Sequence, residues 1–224
     1  MKFIILIFSI FGIVFLGDVK ERERKPLYFA PPNVLQHFSL GYRDFLADLL
    51  WLRFIQDADF CSFKKGRPVY KGDVKTCELG WSYNMVDAIT ELAPRFKTPY
   101  TLSSVILSVF TGDKKGAERI LLKGLKHFPN DWRINFYAAY LYTVDIKNPE
   151  LAARYAYQSA KNGGPYWLYS LSAKKYGEAN QLLLGETILK NLLGRDLTDK
   201  QRAHVEEHWR EFREEYMQKK ASKP

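Results

Sequence analysis

The sequence predicts an all-α fold built from repeated helical hairpins. Three observations carry that expectation. Apolar residues recur at three- and four-residue spacings through most of the body. No run alternates as a strand would; "RPVYK" comes nearest, and it is too short and too rich in proline and charge. Pro94, Pro129 and Pro165 fall at intervals of 35 and 36 residues, as expected when one helix pair follows another.

The first element is the run Phe3–Gly17, fifteen uncharged and mostly apolar residues behind Lys2. As a helix it is about 22 Å long, against a hydrocarbon core of about 30 Å. That length suits an export signal. Val14, Phe15 and Leu16 leave no small-residue cleavage site, so an uncleaved signal anchor over 1–19 is the favoured reading, with a cleaved signal as the alternative. Lys20, Arg22, Arg24 and Lys25 follow the run and would hold the body in the cytoplasm by charge. A first apolar segment near the chain start argues for export instead. The expectation is a single-pass anchor in a bacterial inner membrane, with the body on the periplasmic side.

A charged, proline-containing linker spans 20–38. Then "FSLGYRDFLADLLWLRFIQDADF" begins a helical pattern in which Phe45, Leu49, Leu52 and Ile55 or Gln56 share one face, as in a half-buried helix. Cys61 and Cys77 flank a basic, turn-rich stretch with five lysines or arginines in residues 64–75. Two cysteines at the ends of one loop suit a disulfide in an oxidising compartment, contributing about 3 kcal/mol. Two reduced buried thiols are the other reading. "LGWSYNMVDAITELAP" forms the next helix. Afterwards "TGDKKG" separates helices at 99–110 and 114–128, "DIKNPE" separates 132–144 from 150–162, and "KYGE" separates 166–175 from 178–193. Thr198 and Gln201 fit a capping box before a last helix.

Small and bulky residues recur in step with the prolines. Ala117, Leu121 and Gly124 precede Pro129 at the same offsets as Ala153, Tyr157 and Ala160 precede Pro165. Small residues let the two helices of a hairpin approach closely. On these features residues 95–165 resemble two tetratricopeptide repeats, with Ala139 and Tyr142 at the small and tyrosine positions of the first helix. The chain over roughly 40–193 resembles bacterial membrane-anchored tetratricopeptide proteins of poorly defined function, through "DLLWLRFIQ", "LAPRF", "LLKGLKHFPNDWRINFYAAYLY" and "AARYAYQSAKNGGPYWLYSLSAKKYGE". The expected fold is therefore a tetratricopeptide-like (TPR-like) solenoid over 39–195, with hairpins at about 40–94, 95–129, 130–165 and 166–194. A capping helix and tail at 196–224 complete it. Ile89, the cysteine loop and the missing proline after 166–193 depart from the pattern, as terminal repeats often do.

The resemblance implies a concave groove lined by first-helix residues. Arg133, Phe136, Tyr140 and Thr143 are the expected contributors from the central helix. Thr98, Thr101, Val105 and Ser108 come from the helix before, and Tyr169, Ser172 and Tyr176 from the one after. Trp132, Tyr137, Ala139 and Tyr142 turn toward neighbouring helices. Such a surface suits an extended peptide or helix of a protein partner. The tail at 199–217 is a second occupant to consider.

The chain carries 34 lysines and arginines against 25 aspartates and glutamates. That excess favours acidic partners. Lys114, Lys115, Arg119, Lys123 and Lys126 share one helix, which raises anionic lipid or nucleic acid as the alternative to a protein. For an exported body lipid is the more natural, and no nucleic acid is expected. Catalytic motifs are lacking. "HVEEH", from His204 to His208, matches an inverted zinc-peptidase pattern, but only sixteen residues follow it and a distant glutamate ligand is not expected there. "GDKKGA" has neither the spacing nor the preceding strand of a phosphate loop. The sequence therefore predicts no enzyme, no metal and no cofactor.

Overall fold

The computed structural model describes residues 39–58 and 80–221, together with Pro31 and Leu35. The apolar run 3–17 lies outside the described residues, as do Cys61 and Cys77 with the bridge expected between them. The described residues are helices joined by short turns, without a strand among them. In chain order the helices are α1 (Arg43–Asp57), α2 (Trp81–Leu92), α3 (Lys97–Val105), α4 (Lys114–His127) and α5 (Trp132–Val144). They continue with α6 (Pro149–Lys161), α7 (Trp167–Glu178), α8 (Leu182–Leu193) and α9 (Asp199–Ala221). Among the described residues no helix is long and apolar enough to cross a membrane.

Side-chain caps set four of the nine described helix starts. Asp113 accepts from the Gly116 N–H, Asp131 from those of Arg133 and Ile134, and Asn148 from that of Leu151, with Pro149 at the first position of α6. Each satisfies amide donors that a helix start leaves unpaired. The Thr198–Gln201 capping box forms in both directions. At the end of α3 the helix widens into a π-helical stretch, Ile106–Thr111, closed by Gly112 at φ 73°. Periodicity alone gave no sign of that widening.

Helices pack on their neighbours in sequence: α1 on α2, α3 on α4, α5 on α6, α6 on α7 and α7 on α8, while α9 covers both α7 and α8. The recurrence lies in the helix starts. Lys97, Trp132 and Trp167 open α3, α5 and α7 at two successive intervals of 35. Ala117, Ala152 and Gly185 are the buried fourth residues of α4, α6 and α8. Pro94 and Pro129 are equivalent. Each follows a non-helical cap residue, Ala93 or Phe128, and each carbonyl accepts from the side chain six residues on, Tyr100 Oη or Asn135 Nδ2. Pro165 is not equivalent. Gly163, at φ 92°, ends α6, and Gly164 N–H donates back to Ser159 O. Pro165 instead starts α7 by accepting from the Leu168 N–H. Counting between helix starts pairs Ala117 with Ala152, one residue away from the proline-based register.

Two further expectations are corrected. "KYGE" is helical: α7 runs through Gly177, whose bare Cα lets Phe212 approach, since a Cβ there would lie 2.6 Å from that ring. The chain turns later, at Asn180, with φ 60°. The stripe of Phe45, Leu49, Leu52 and Ile55 is not the buried face of α1. Phe45 is 59% exposed and Leu52 51%, whereas Ala47 and Phe54 face α2 and the Trp81 ring.

The core has two parts. One joins α1 to α5 around Phe54, Trp81, Met85, Ile89, Tyr100 and Leu107. The other joins α7, α8 and α9 around Leu168, Leu189, Val205 and Phe212. In the first, Tyr100 lies flat against Gly124, where an added Cβ would sit 2.8 Å from the ring. Gly124→Leu should therefore cost at least about 1–3 kcal/mol by overpacking, despite the better helix propensity of leucine. Leu49→Ser, on the exposed stripe of α1, should stay within about 0.5 kcal/mol of the parent. Urea unfolding of both variants checks the pair.

Candidate functional site

Helix α5 stands between the two halves of the core, and its start is fixed twice. Asp131 caps it and also binds the Lys97 ammonium at 2.8 Å, tying the starts of α3 and α5 together. Lys97 in turn lies 5.1 Å from the Phe128 ring centroid. From this fixed start the α5 side chains divide. Ile134, Asn135, Ala138, Ala139, Leu141 and Tyr142 are buried. The Tyr142 hydroxyl donates to Glu118 at 2.6 Å and its ring stacks on Tyr155. Burial, and then the Glu118 carboxylate, push its pKa above the usual phenol range.

The predicted groove residues fare differently. Arg133 is exposed and lies over the Trp132 ring. Phe136 is half-buried, edge-on to both Tyr137 and Trp167. Tyr140 is 38% exposed. Thr143 is half-buried, and its hydroxyl oxygen is buried without a hydrogen-bond partner among the described residues. These four occupy the outward side of α5 or its margin. On α7 the expected register is wrong. Tyr169 is buried against Tyr157, and its hydroxyl accepts from Arg195. Ser172 is buried and donates to Ala153 O, and Tyr176 is half-buried, its pKa raised by burial. Thr98 on α3 is exposed, while Ser108, in the π-helical stretch that follows, is buried.

The face that α7 offers is Trp167, Leu171 and Lys174, at spacings of four and three. Trp167 is 39% exposed and meets Phe136 at 6.0 Å between ring centroids. The outward aromatic band therefore runs Tyr140, Phe136, Trp167. A sequence signal for Trp167 existed: it repeats Trp132 at the helix period.

The band leads into a cleft of about 320 Å³ between α7 and α9. Trp167, Leu171, Leu189 and Phe212 give it apolar walls, and Ser170, Lys174, His204, His208 and Glu211 give it polar groups. The Ser170 hydroxyl oxygen is buried without a hydrogen-bond partner among the described residues. His204 Nε2 lies 3.2 Å from His208 Nε2, and His208 Nδ1 lies 3.2 Å from a Glu211 oxygen. The carboxylate beside the histidine pair is thus Glu211, one turn after the Glu207 of the sequence motif. The terminal helix α9 packs at the end of the α7–α8 pair, through Val205 and Phe212, and does not cover Tyr140.

The basic stripe of α4 is largely engaged within the chain. Lys123 pairs with Asp87 and Glu91, Lys114 donates to Asp145 O, and Arg119 lies 4.1 Å from the Tyr83 ring centroid. Lys114, Lys115, Arg119 and Lys126 are nonetheless exposed, and only Lys123 is half-buried. Among the described residues no three histidine, cysteine, aspartate or glutamate side chains converge as metal ligands. No protein-family model, no curated protein and no solved structure matches the chain.

Burial alone would raise the Asp131 carboxyl, but hydrogen bonds from Lys97, Ile134 and Arg133 outweigh it and hold the group below the usual carboxylate range. Its stabilising share is present above the unfolded value of about 3.9 and is lost as pH falls through the lower folded value. Asp131→Ala should cost about 1 kcal/mol at neutral pH. Thermal melts should show the gap from the parent closing below about pH 4.

Proposed function

We propose that this chain is a TPR-like helical-hairpin adaptor, tethered through residues 3–17, that holds another protein within a bacterial envelope assembly. The observation that carries the reading is the recurrence of Lys97, Trp132 and Trp167 at helix starts 35 residues apart, since serial hairpins of that length build an extended binding face. The partner would meet Tyr140, Phe136 and Trp167, flanked by Arg133. Rigid aromatics supply contact area with little entropy loss, and an arginine supplies bonds to main chain or carboxylate. An extended peptide or an amphipathic helix fits such a band.

Docking of a basic face on anionic lipid or nucleic acid is the rival reading. It draws on the net charge of +9. The pairing of Lys123 with Asp87 and Glu91 weighs against it, as do the surface contacts that Lys114 and Arg119 make within the chain. An enzyme is the least supported reading, since no nucleophile–base pair occurs in the aromatic band.

Affinity purification from membranes should compare the parent with Phe136→Ala plus Tyr140→Ala, and with Trp167→Ala. Loss of an aromatic anchor should weaken a captured partner by about 2 kcal/mol or more, roughly 30-fold, with helicity unchanged by circular dichroism. Capture that ignores these changes but collapses with salt would favour the basic face instead. A reporter fused after Pro224 should be active outside the cytoplasm; activity only inside it would refute the exported topology.

A further inference from the structure

We infer that His204 and His208 form a chelating site for a divalent transition-metal ion, open toward the α7–α9 cleft. The two side chains stand one turn apart on α9, and their Nε2 atoms are 3.2 Å apart. Metal–imidazole bonds are about 2.0–2.1 Å, so one ion bound to both nitrogens would see them at an angle of about 100°. That lies between the tetrahedral and square arrangements favoured by zinc and copper. With His208 held as its Nδ1–H tautomer, His204 donates its Nε2–H to His208 Nε2; to take the ion, His204 carries its single proton on Nδ1 instead, which frees a second Nε2 lone pair.

One further feature suits the site. His208 turns its other nitrogen, Nδ1, to Glu211 at 3.2 Å. A carboxylate there fixes the Nδ1–H tautomer and leaves the Nε2 lone pair for the ion, so Glu211 is a positioning residue and not a ligand. The ligand set therefore has two nitrogens, with the remaining positions open to water. This agrees with the absence of any converging trio of acidic, histidine or cysteine ligands among the described residues. It differs from the peptidase reading of the same motif, which needs a third protein ligand and a catalytic Glu207. Imidazole pairs of this kind take Cu²⁺ more tightly than Zn²⁺.

The site is independent of what the aromatic band binds. The test uses the untagged full chain in detergent, stripped with chelator and titrated calorimetrically with Zn²⁺ and with Cu²⁺. The expected result is one ion per chain, with Cu²⁺ tighter. Binding should vanish in His204→Ala and in His208→Ala, and weaken by about 10- to 100-fold in Glu211→Gln, with helicity retained. Cys61→Ser plus Cys77→Ser should bind as the parent does. Failure to bind either ion, or binding that persists in both histidine variants, would overturn the assignment. So would loss in the cysteine variant alone.

Discussion

Every residue that α6 buries is small: Ala152, Ala153, Ala156, Ser159 and Ala160. The helix lies between α5 and α7, and both neighbours approach it closely. Two serines use that closeness. Ser159 Oγ donates to Trp132 O on α5 at 2.7 Å, and Ser172 Oγ on α7 donates to Ala153 O at 2.8 Å. Neither bond would reach across a helix spaced by leucines. Helices with larger contact side chains pack toward the wide end of the usual 8–10 Å range. The apolar area buried by alanines is modest, so this layer holds by close contact and by its hydrogen bonds more than by hydrophobic burial.

That thin layer positions the outward face. With α5 and α7 both held against α6, Phe136 and Trp167 come within ring contact of each other. The bulky residues of α6 sit at the margins instead. Tyr155 stacks on Tyr142, and Tyr157 meets Tyr169. Beyond α7 the same device is used again. Gly177 and Gly185 leave room for Phe212, which seats α9 and forms one wall of the cleft. The largest core side chains, Trp81, Tyr100 and Phe54, are concentrated in the first half of the chain. The second half depends more on glycine, alanine and serine at contact points.

Much of this was legible in the sequence, because helix existence and helix starts are local matters. Asn148 before Pro149, and Thr198 before Gln201, announce their helices through chemistry within four residues. The spacing of about 35 residues between alternate helix starts was legible too, although Pro165 differs by one residue, because a glycine cap replaces proline as the stop signal of α6. What sequence could not supply was coverage. Spacing tells which residues share a face, not which face a neighbour covers. The apolar stripe of α1 and the buried Tyr169 were misassigned for that reason. The break expected at "KYGE" failed similarly: Gly177 makes room for Phe212, 35 residues later, and nothing near it in sequence reveals that contact. His208 and Glu211 are three residues apart on one helix. Their pairing was available to a reader, but the histidine motif drew attention to Glu207.

If small residues in α6 are what let α5 and α7 close on it, enlarging one buried position there should be felt well beyond its own volume. Urea unfolding of Ala156→Leu, with the exposed Arg154→Leu on the same helix as control, tests this most directly. The account predicts that Ala156→Leu loses about 1–3 kcal/mol while the control changes by no more than about 0.5 kcal/mol. An Ala156→Leu chain with the parent's midpoint and slope would contradict it.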